Sequence, residues 1–151
     1  MADIVDKVTR SRIMSLIRGT NTKPEIKVRS LLHRQGFRFR INVHNLPGKP
    51  DIVLPRFHAV ILVHGCFWHG HECCLFKWPN TRISFWRKKI EGNQRHDQKV
   101  TSALRKLNWR VAIVWECSMK GRQAINDVNI AKSLAKWVHS KNTSFELKAK
   151  A

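Results

Sequence analysis

Asp51-Ile52-Val53-Leu54-Pro55-Arg56-Phe57-His58-Ala59-Val60-Ile61-Leu62-Val63-His64 is the stretch that decides the fold. Asp51 to Leu54 leaves a turn-rich segment, Asn45-Leu46-Pro47-Gly48-Lys49-Pro50, as a short strand. Pro55 to His58 turns the chain back. Ala59 to Val63 is apolar at every position and mostly β-branched, the pattern of a central strand. Two antiparallel strands of this length bring the Asp51 end of one against the Val63-His64 end of the other.

Working outward, Phe37-Arg38-Phe39-Arg40-Ile41 alternates strictly and reads as a strand with one buried face. Before it, Thr22-Lys23-Pro24-Glu25 has the form of a capping box with proline in the first turn, opening a helix to about Gln35 with Gly36 as its stop. Residues 1–21 read as a basic arm in which Thr9 to Arg18 forms a short amphipathic helix. Downstream, residues 64–80 are dense in His, Cys and aromatics without a period, a loop that needs something other than a core to order it. From Thr81 the chain is helical in two stretches, one around Phe85, Lys89 and Ile90 and a second, past Gly92, from about Asp97 to Leu107. Val111 to Trp115 is another buried strand. Ile130, Leu134, Trp137 and Val138 mark a closing helix, and residues 140–151 read as a frayed tail. The order predicts one α/β domain over residues 22–139, a small mixed sheet flanked by helices.

Composition narrows the function. The chain has 151 residues with 29 Lys+Arg against 10 Asp+Glu, a formal charge of +19. That imbalance implies a polyanionic partner, of which nucleic acid is the usual one. Six Trp and seven Phe argue against disorder, and the Ala59–Val63 run is far short of the ~20 residues of a membrane span. The N-terminus, MADIVDKVTR, lacks the apolar segment of a signal peptide, so a cytoplasmic protein is expected. Between Glu25 and Glu91 the only acids are Asp51 and Glu72, among twelve Lys and Arg.

Two constellations carry chemistry. Cys66, His71 and Cys73 fall within eight residues, and Cys117 at a strand end can close a tetrahedron, which suits a structural zinc ion. Cys73 is preferred to Cys74 because it shares a side with His71 in an extended segment. The alternative is a buried Cys117 and a solvent-facing loop. Asp51 beside His64 is the second constellation. Phosphodiester hydrolysis needs a divalent cation against the phosphate charge and a base for water, and His64 and His69 are tunable near neutrality. Taken in isolation, Asp51 reads better as a strand-initiating turn residue, and each histidine as a satisfied loop histidine.

Pro50-Asp51, then Val63-His64-Gly65-Cys66-Phe67-Trp68-His69-x-His71-x-Cys73, with Phe85-Trp86 and Trp115-Glu116-Cys117, closely resembles the very short patch repair (Vsr) endonucleases. The likeness runs from Asp6-Lys7-x-Thr9-Arg10-Ser11 to the last helix. It implies a restriction-endonuclease-like fold with a structural zinc. It also implies a magnesium-dependent enzyme that nicks 5′ to the thymine of T:G mismatches left by deamination of 5-methylcytosine. On this resemblance Asp51 is the magnesium carboxylate, with the Val63 backbone carbonyl as a further ligand. Glu25 stands near the site, His64 contacts the metal hydration shell or phosphate, and His69 is the base, oriented by Asp97. Zinc falls on Cys66, His71, Cys73 and Cys117. Phe67, Trp68 and Trp86 become wedges entering the base stack from the major groove, with Met14 of the DNA-contacting arm on the minor-groove side. The implied partner is mismatched double-stranded DNA, engaged by a monomer, and mismatch-repair proteins are a further partner class.

Two features depart from the wider nuclease pattern. An acid-x-Lys triplet is expected after the second strand, where this chain has Val63-His64-Gly65, and Val63 offers no side-chain oxygen. Cys74 has no assigned role. Two other readings stay open: a zinc-ordered DNA-binding module without catalysis, and a nuclease of the same fold acting on a branched junction or restriction site.

Overall fold

β3 (Ala59–His64) and β4 (Arg110–Trp115) lie side by side in parallel at the centre of the sheet, in register from Ala59 opposite Arg110 to His64 opposite Trp115. The structure is a computed structural model and describes residues 22–149. Around this pair the order along the chain is α1 (Lys23–Arg34), β1 (Arg40–Ile41), β2 (Ile52–Leu54), β3, α2 (Ile83–Lys106), β4, α3 (Asp127–His139) and β5 (Ser144–Leu147). The sheet order is β1-β2-β3-β4-β5, with antiparallel pairing up to β3 and parallel pairing beyond it. The expected mixed sheet flanked by helices is therefore present.

Period-two alternation divides the strands between two layers. Ile52, Leu54, Ala59, Ile61, Ala112 and Val114 pack with Val28 and Leu32 of α1 and with Ile130 and Leu134 of α3. Val53, Val60, Leu62 and Val111 face the other way, onto Leu104 and Val100 of α2. Asp51, two residues before Val53, and His64, two after Leu62, thus continue the α2-facing rows. Thr22 caps α1 as the sequence predicts, its hydroxyl accepting from the Glu25 N–H at 3.5 Å.

Three expectations are corrected. The 37–41 strand shrinks to Arg40–Ile41, although Phe37 is buried. The helix after Thr81 does not break at Gly92 but runs for 24 residues. A glycine costs a helix only about 1 kcal/mol, and tertiary docking offsets that here. The loop crosses α2 at Gly70 (φ +64°), where a Cβ would stand 2.6 Å from Ile90. Asn93 and Gln94 donate to the carbonyls of Trp68, His69 and Gly70. Residues 144–147, expected within a frayed tail, form β5 beside β4. Its Phe145 and Leu147 join the α1/α3 core, and two apolar residues in four were too short a pattern to register. Among the described residues no helix is long and apolar enough to cross a membrane. Met14 and the Thr9–Arg18 helix lie outside the described residues.

Candidate active site and metal centre

β2 runs against β3, so the start of β2 meets the end of β3, and β3 and β4 end together. One edge of the sheet therefore collects Asp51, His64, Cys66 and Cys117. Open α/β sheets commonly place their ligand sites at this carboxyl edge of the parallel strands.

On the α2 side of the edge lies a cavity of about 360 Å³ lined by Gly48, Lys49, Asp51, Leu62, Val63, His64, His69, His96, Asp97 and Val100. The Asp51 carboxylate accepts a hydrogen bond from the Val63 N–H at 2.7 Å. Burial outweighs that bond and pushes Asp51 up to about 7; the Glu25 charge adds to the rise, while Arg29 and His69 oppose it. Glu25 is itself buried, held by the Thr22 hydroxyl and the Arg29 guanidinium at 3.2 and 3.0 Å. It acts on Asp51 through its charge and is not one of the side chains lining the cavity.

His69 Nδ1 meets the Asp97 carboxylate at 2.5 Å. Asn93 and Gln94 hold the loop backbone one helical turn away, so the loop delivers His69 where α2 presents Asp97. If Nδ1 carries the hydrogen, Nε2 is left as the acceptor. The His64 ring stacks on His69 at 3.9 Å and 4°. His64 is 7% exposed, and its Nδ1 has no hydrogen-bond partner among the described residues. Burial, with the neighbouring His69 charge, lowers it to about 4, against the opposing charge of Asp97.

The second centre lies where the loop crosses the ends of β3 and β4. One donor atom each from Cys66, His71, Cys73 and Cys117 lies within 4.8 Å of the others. Cys117 Sγ and His71 Nδ1 are 3.6 Å apart. A tetrahedral zinc with Zn–S near 2.3 Å and Zn–N near 2.05 Å has an S···N edge of about 3.6 Å, so the donor set fits that ion. Backbone N–H groups of Cys117, Ala149 and Leu75 point at the sulfurs of Cys66, Cys117 and Cys73. Burial raises the Cys66 and Cys117 thiols, the condition a bound cation reverses. The His71 ring stacks on Trp115 at 4.1 Å, and Trp115 Nε1 donates to Glu146 of β5. Cys74 stands outside the set.

Between the two centres and the start of α2 sits a cluster of aromatic rings. Phe67, Trp68 and Trp86 contact one another edge-on at 5.3 to 5.8 Å. Trp68 is 39% exposed, whereas Trp86 is half-buried. Phe85 and Trp78 extend the cluster, each under an arginine, Arg82 at 4.3 Å and Arg87 at 5.1 Å.

A profile described as DNA mismatch endonuclease Vsr matches residues 2–75. The DNA mismatch endonuclease Vsr of Escherichia coli K12 is 44% identical over 147 residues, covering 97% of this chain and 94% of the relative. The chain belongs to the Vsr family. That makes it an endodeoxyribonuclease of DNA mismatch repair. The type II nicking enzyme V.XorIIP of Xanthomonas oryzae is 46% identical over 83% of this chain and 92% of the relative. V.NaeI of Lentzea aerocolonigenes is 35% identical over 71% and 67%.

Of the residues singled out in the sequence, Asp51, Val63, His64, His69 and Asp97 surround one cavity, the four Cys/His ligands form a second group and the three rings a third, while Glu25 stands outside the cavity lining. Lys49 and His96 line the cavity and were missed. Each adjoins a marked position, Lys49 before Pro50-Asp51 and His96 before Asp97, but adjacency in a helix or turn does not say which side chain reaches a site.

Proposed function

We propose that this enzyme is a magnesium-dependent nickase that cuts one strand 5′ to the thymine of a T:G mismatch. The observation that carries the reading is the meeting of Asp51, fixed by the Val63 N–H, with the His69–Asp97 pair in one cavity. A DNA-binding module has no use for a desolvated carboxylate facing an oriented imidazole.

The residues fit magnesium. Asp51 is half-buried, and desolvation with the Glu25 charge beside it raises its carboxyl despite Arg29 and His69, as expected where a cation belongs. In an extended residue the N–H and C=O point to the same edge, so the Val63 carbonyl faces the Asp51 side and, with the carboxylate, would hold a hard cation through oxygen. Bound there, magnesium would supply positive charge against the phosphate. His69 Nε2 accepts the proton of the attacking water, and Asp97 steadies the imidazolium that forms. His64, unpartnered at Nδ1 among the described residues, offers a hydrogen bond to a phosphate oxygen. The four soft ligands are assigned to structural zinc, which fixes the loop carrying His69.

Phe67, Trp68 and Trp86 are assigned to the opened base step, with Met14 opposite them. A mismatched step is cheaper to unstack than a paired one. The antiparallel hairpin leading into parallel crossovers supports a restriction-endonuclease-like arrangement. We assign residues 1–21 to DNA contact, a monomer to the active form, and the cytoplasm to its location, with mismatch-repair proteins as further partners.

A strand-resolved cleavage assay on matched, T:G, other mismatched and branched duplexes tests this, with magnesium present or withheld. Magnesium-dependent nicking of the thymine strand of T:G duplex is expected. Preferential cutting of a branched or matched duplex, or none above background, overturns the assignment.

A further inference from the structure

We infer that Lys49 is a phosphate-contacting group of the active site, supplying the cation that faces the scissile phosphate from the Pro50 side. This rests on the cavity being the site of strand cleavage, whichever duplex is cut. Leu46-Pro47-Gly48-Lys49 forms a tight turn in which the Lys49 N–H donates to the Leu46 carbonyl at 3.2 Å. Gly48 takes φ +73°, and its missing Cβ matters twice: a side chain there would be strained, and its first carbon would stand 2.4 Å from Val100 of α2. The turn is thereby pressed against the helix that carries Asp97. Lys49 is itself left-handed, at φ +48°. The next residue, Pro50, is buried, which anchors the backbone between the turn and Asp51.

Charge gives the position its meaning. The cavity lining holds two carboxylates, Asp51 and Asp97, and three histidines, His64, His69 and His96. Among the described residues lining it, Lys49 is the only lysine or arginine. No ion pair or hydrogen bond engages its ammonium among the described residues, and it is absent from the charges acting on Asp51. It is therefore an exposed cation on a constrained backbone, free to meet an incoming anion. The left-handed conformation strengthens the argument. Glycine or asparagine adopts it at less cost than lysine, so folding alone does not favour lysine here. Strained backbone at a site rim is the pattern of a functional constraint. As negative charge grows on the non-bridging oxygens, a lysine ammonium brought to them from the cavity rim stabilises the transition state more than the bound substrate. Lys49 gives up no proton and forms no bond.

The test compares Lys49→Arg, Lys49→Asn and Lys49→Gly with wild type in the full chain, with zinc and magnesium present. Rates are read in single turnover at saturating enzyme, on whichever duplex of the panel wild type cuts, so failure of T:G selectivity is scored separately. Asn and Gly suit the backbone, so neither should melt below wild type. Lys49→Asn is expected to nick about 10²-fold more slowly, and Lys49→Arg to stay within about threefold of wild type by a charge-preserving contact. A Lys49→Asn variant at the wild-type saturated rate overturns the inference. That holds even if its binding weakens and its salt slope falls by about one, the signature of an ordinary backbone contact. Equal slowing in the Arg and Asn variants, with lowered melting temperatures, also overturns it by showing that the turn and not the charge is at stake.

Discussion

The two centres share one sheet edge and one loop, yet their polar groups are settled in opposite ways. At the cysteine centre the loop, β3, the segment after β4 and the chain beyond β5 surround the ligands, and backbone N–H groups already point at three sulfurs. At the cavity the Asp51 carboxylate is raised to about 7, His64 Nδ1 is unpartnered among the described residues, and Lys49 is unpaired. The first centre is complete once a cation sits in it. The second is left unsatisfied by the fold, and a site that must take up and release a phosphodiester needs groups that are not already matched internally. Stability and catalysis are thus divided between neighbours. Damage to one centre therefore has a different signature from damage to the other.

The largest separation is expected from Asp51→Ala. Losing the carboxylate that would hold magnesium removes several kcal/mol of transition-state stabilisation, about 10³-fold or more in rate. DNA affinity, which rests on the Lys and Arg surface, should change little. Nicking rate and affinity measured on one mismatched duplex check it, and near-normal nicking removes Asp51 from the mechanism. Cys66→Ser or Cys117→Ser should do the reverse, releasing zinc and lowering the melting temperature because metal binding contributes folding free energy. Cys74→Ser should do neither. Elemental analysis beside melting curves decides it, and zinc lost on replacing Cys74 would show that the ligand set is wrong.

A finer test uses pH. Asp51 is raised from 3.8 to about 7 on folding, so its contribution is unfavourable above pH 7 and eases as pH falls toward 3.8. His64 is lowered from 6.5 to about 4, so its contribution is present above pH 6.5 and is lost as pH falls toward 4. Between pH 6.5 and 4 the two slopes oppose each other. Asp51→Asn should therefore be more stable than wild type at pH 7.5 without magnesium, and should lose stability more steeply on acidification to pH 5.5. Denaturant titrations at the two pH values measure it; parallel changes in both proteins would mean that the Asp51 carboxyl is not held in a desolvated state.

Much of this contrast is legible in the sequence because its determinants are local. Thr22 and Glu25 announce a capped helix, and Asp51 to His64 announces two strands whose ends must meet. The Cys66 to Cys73 spacing announces a cluster of soft ligands. What stays hidden depends on partners distant in sequence. Gly92 looks like a break until the 68–70 carbonyls are seen docked on Asn93 and Gln94. Ser144 to Leu147 has too few apolar residues to declare a strand, and it gains its place from β4 and from Trp115 bonding to Glu146. Lys49 and His96 enter the cavity only because a turn and a helix are pressed together at Gly48 and Val100.

The smallest expected effect concerns the rings of Phe67, Trp68 and Trp86, carried by the loop that joins the two centres and by the start of α2. Trp68 is among the more exposed large side chains and leans on Phe67 and the half-buried Trp86. Trp86 is partly a packing residue, so its removal would mix folding with recognition, and Trp68 is the cleaner probe. An aromatic face gains a stacking partner only where the duplex opens, and opening costs least at a mismatch. Phosphate contacts act on matched and mismatched duplexes alike and cannot create that preference. Trp68→Ala should therefore weaken binding to T:G duplex by about 1–3 kcal/mol, the worth of one base–aromatic stack. Matched duplex should lose much less, and the salt slope should stay the same because no cation is removed. Salt titrations of affinity on both duplexes, for wild type and variant, measure all three. Equal losses on the two duplexes would show that Trp68 supports the loop and not the opened base step.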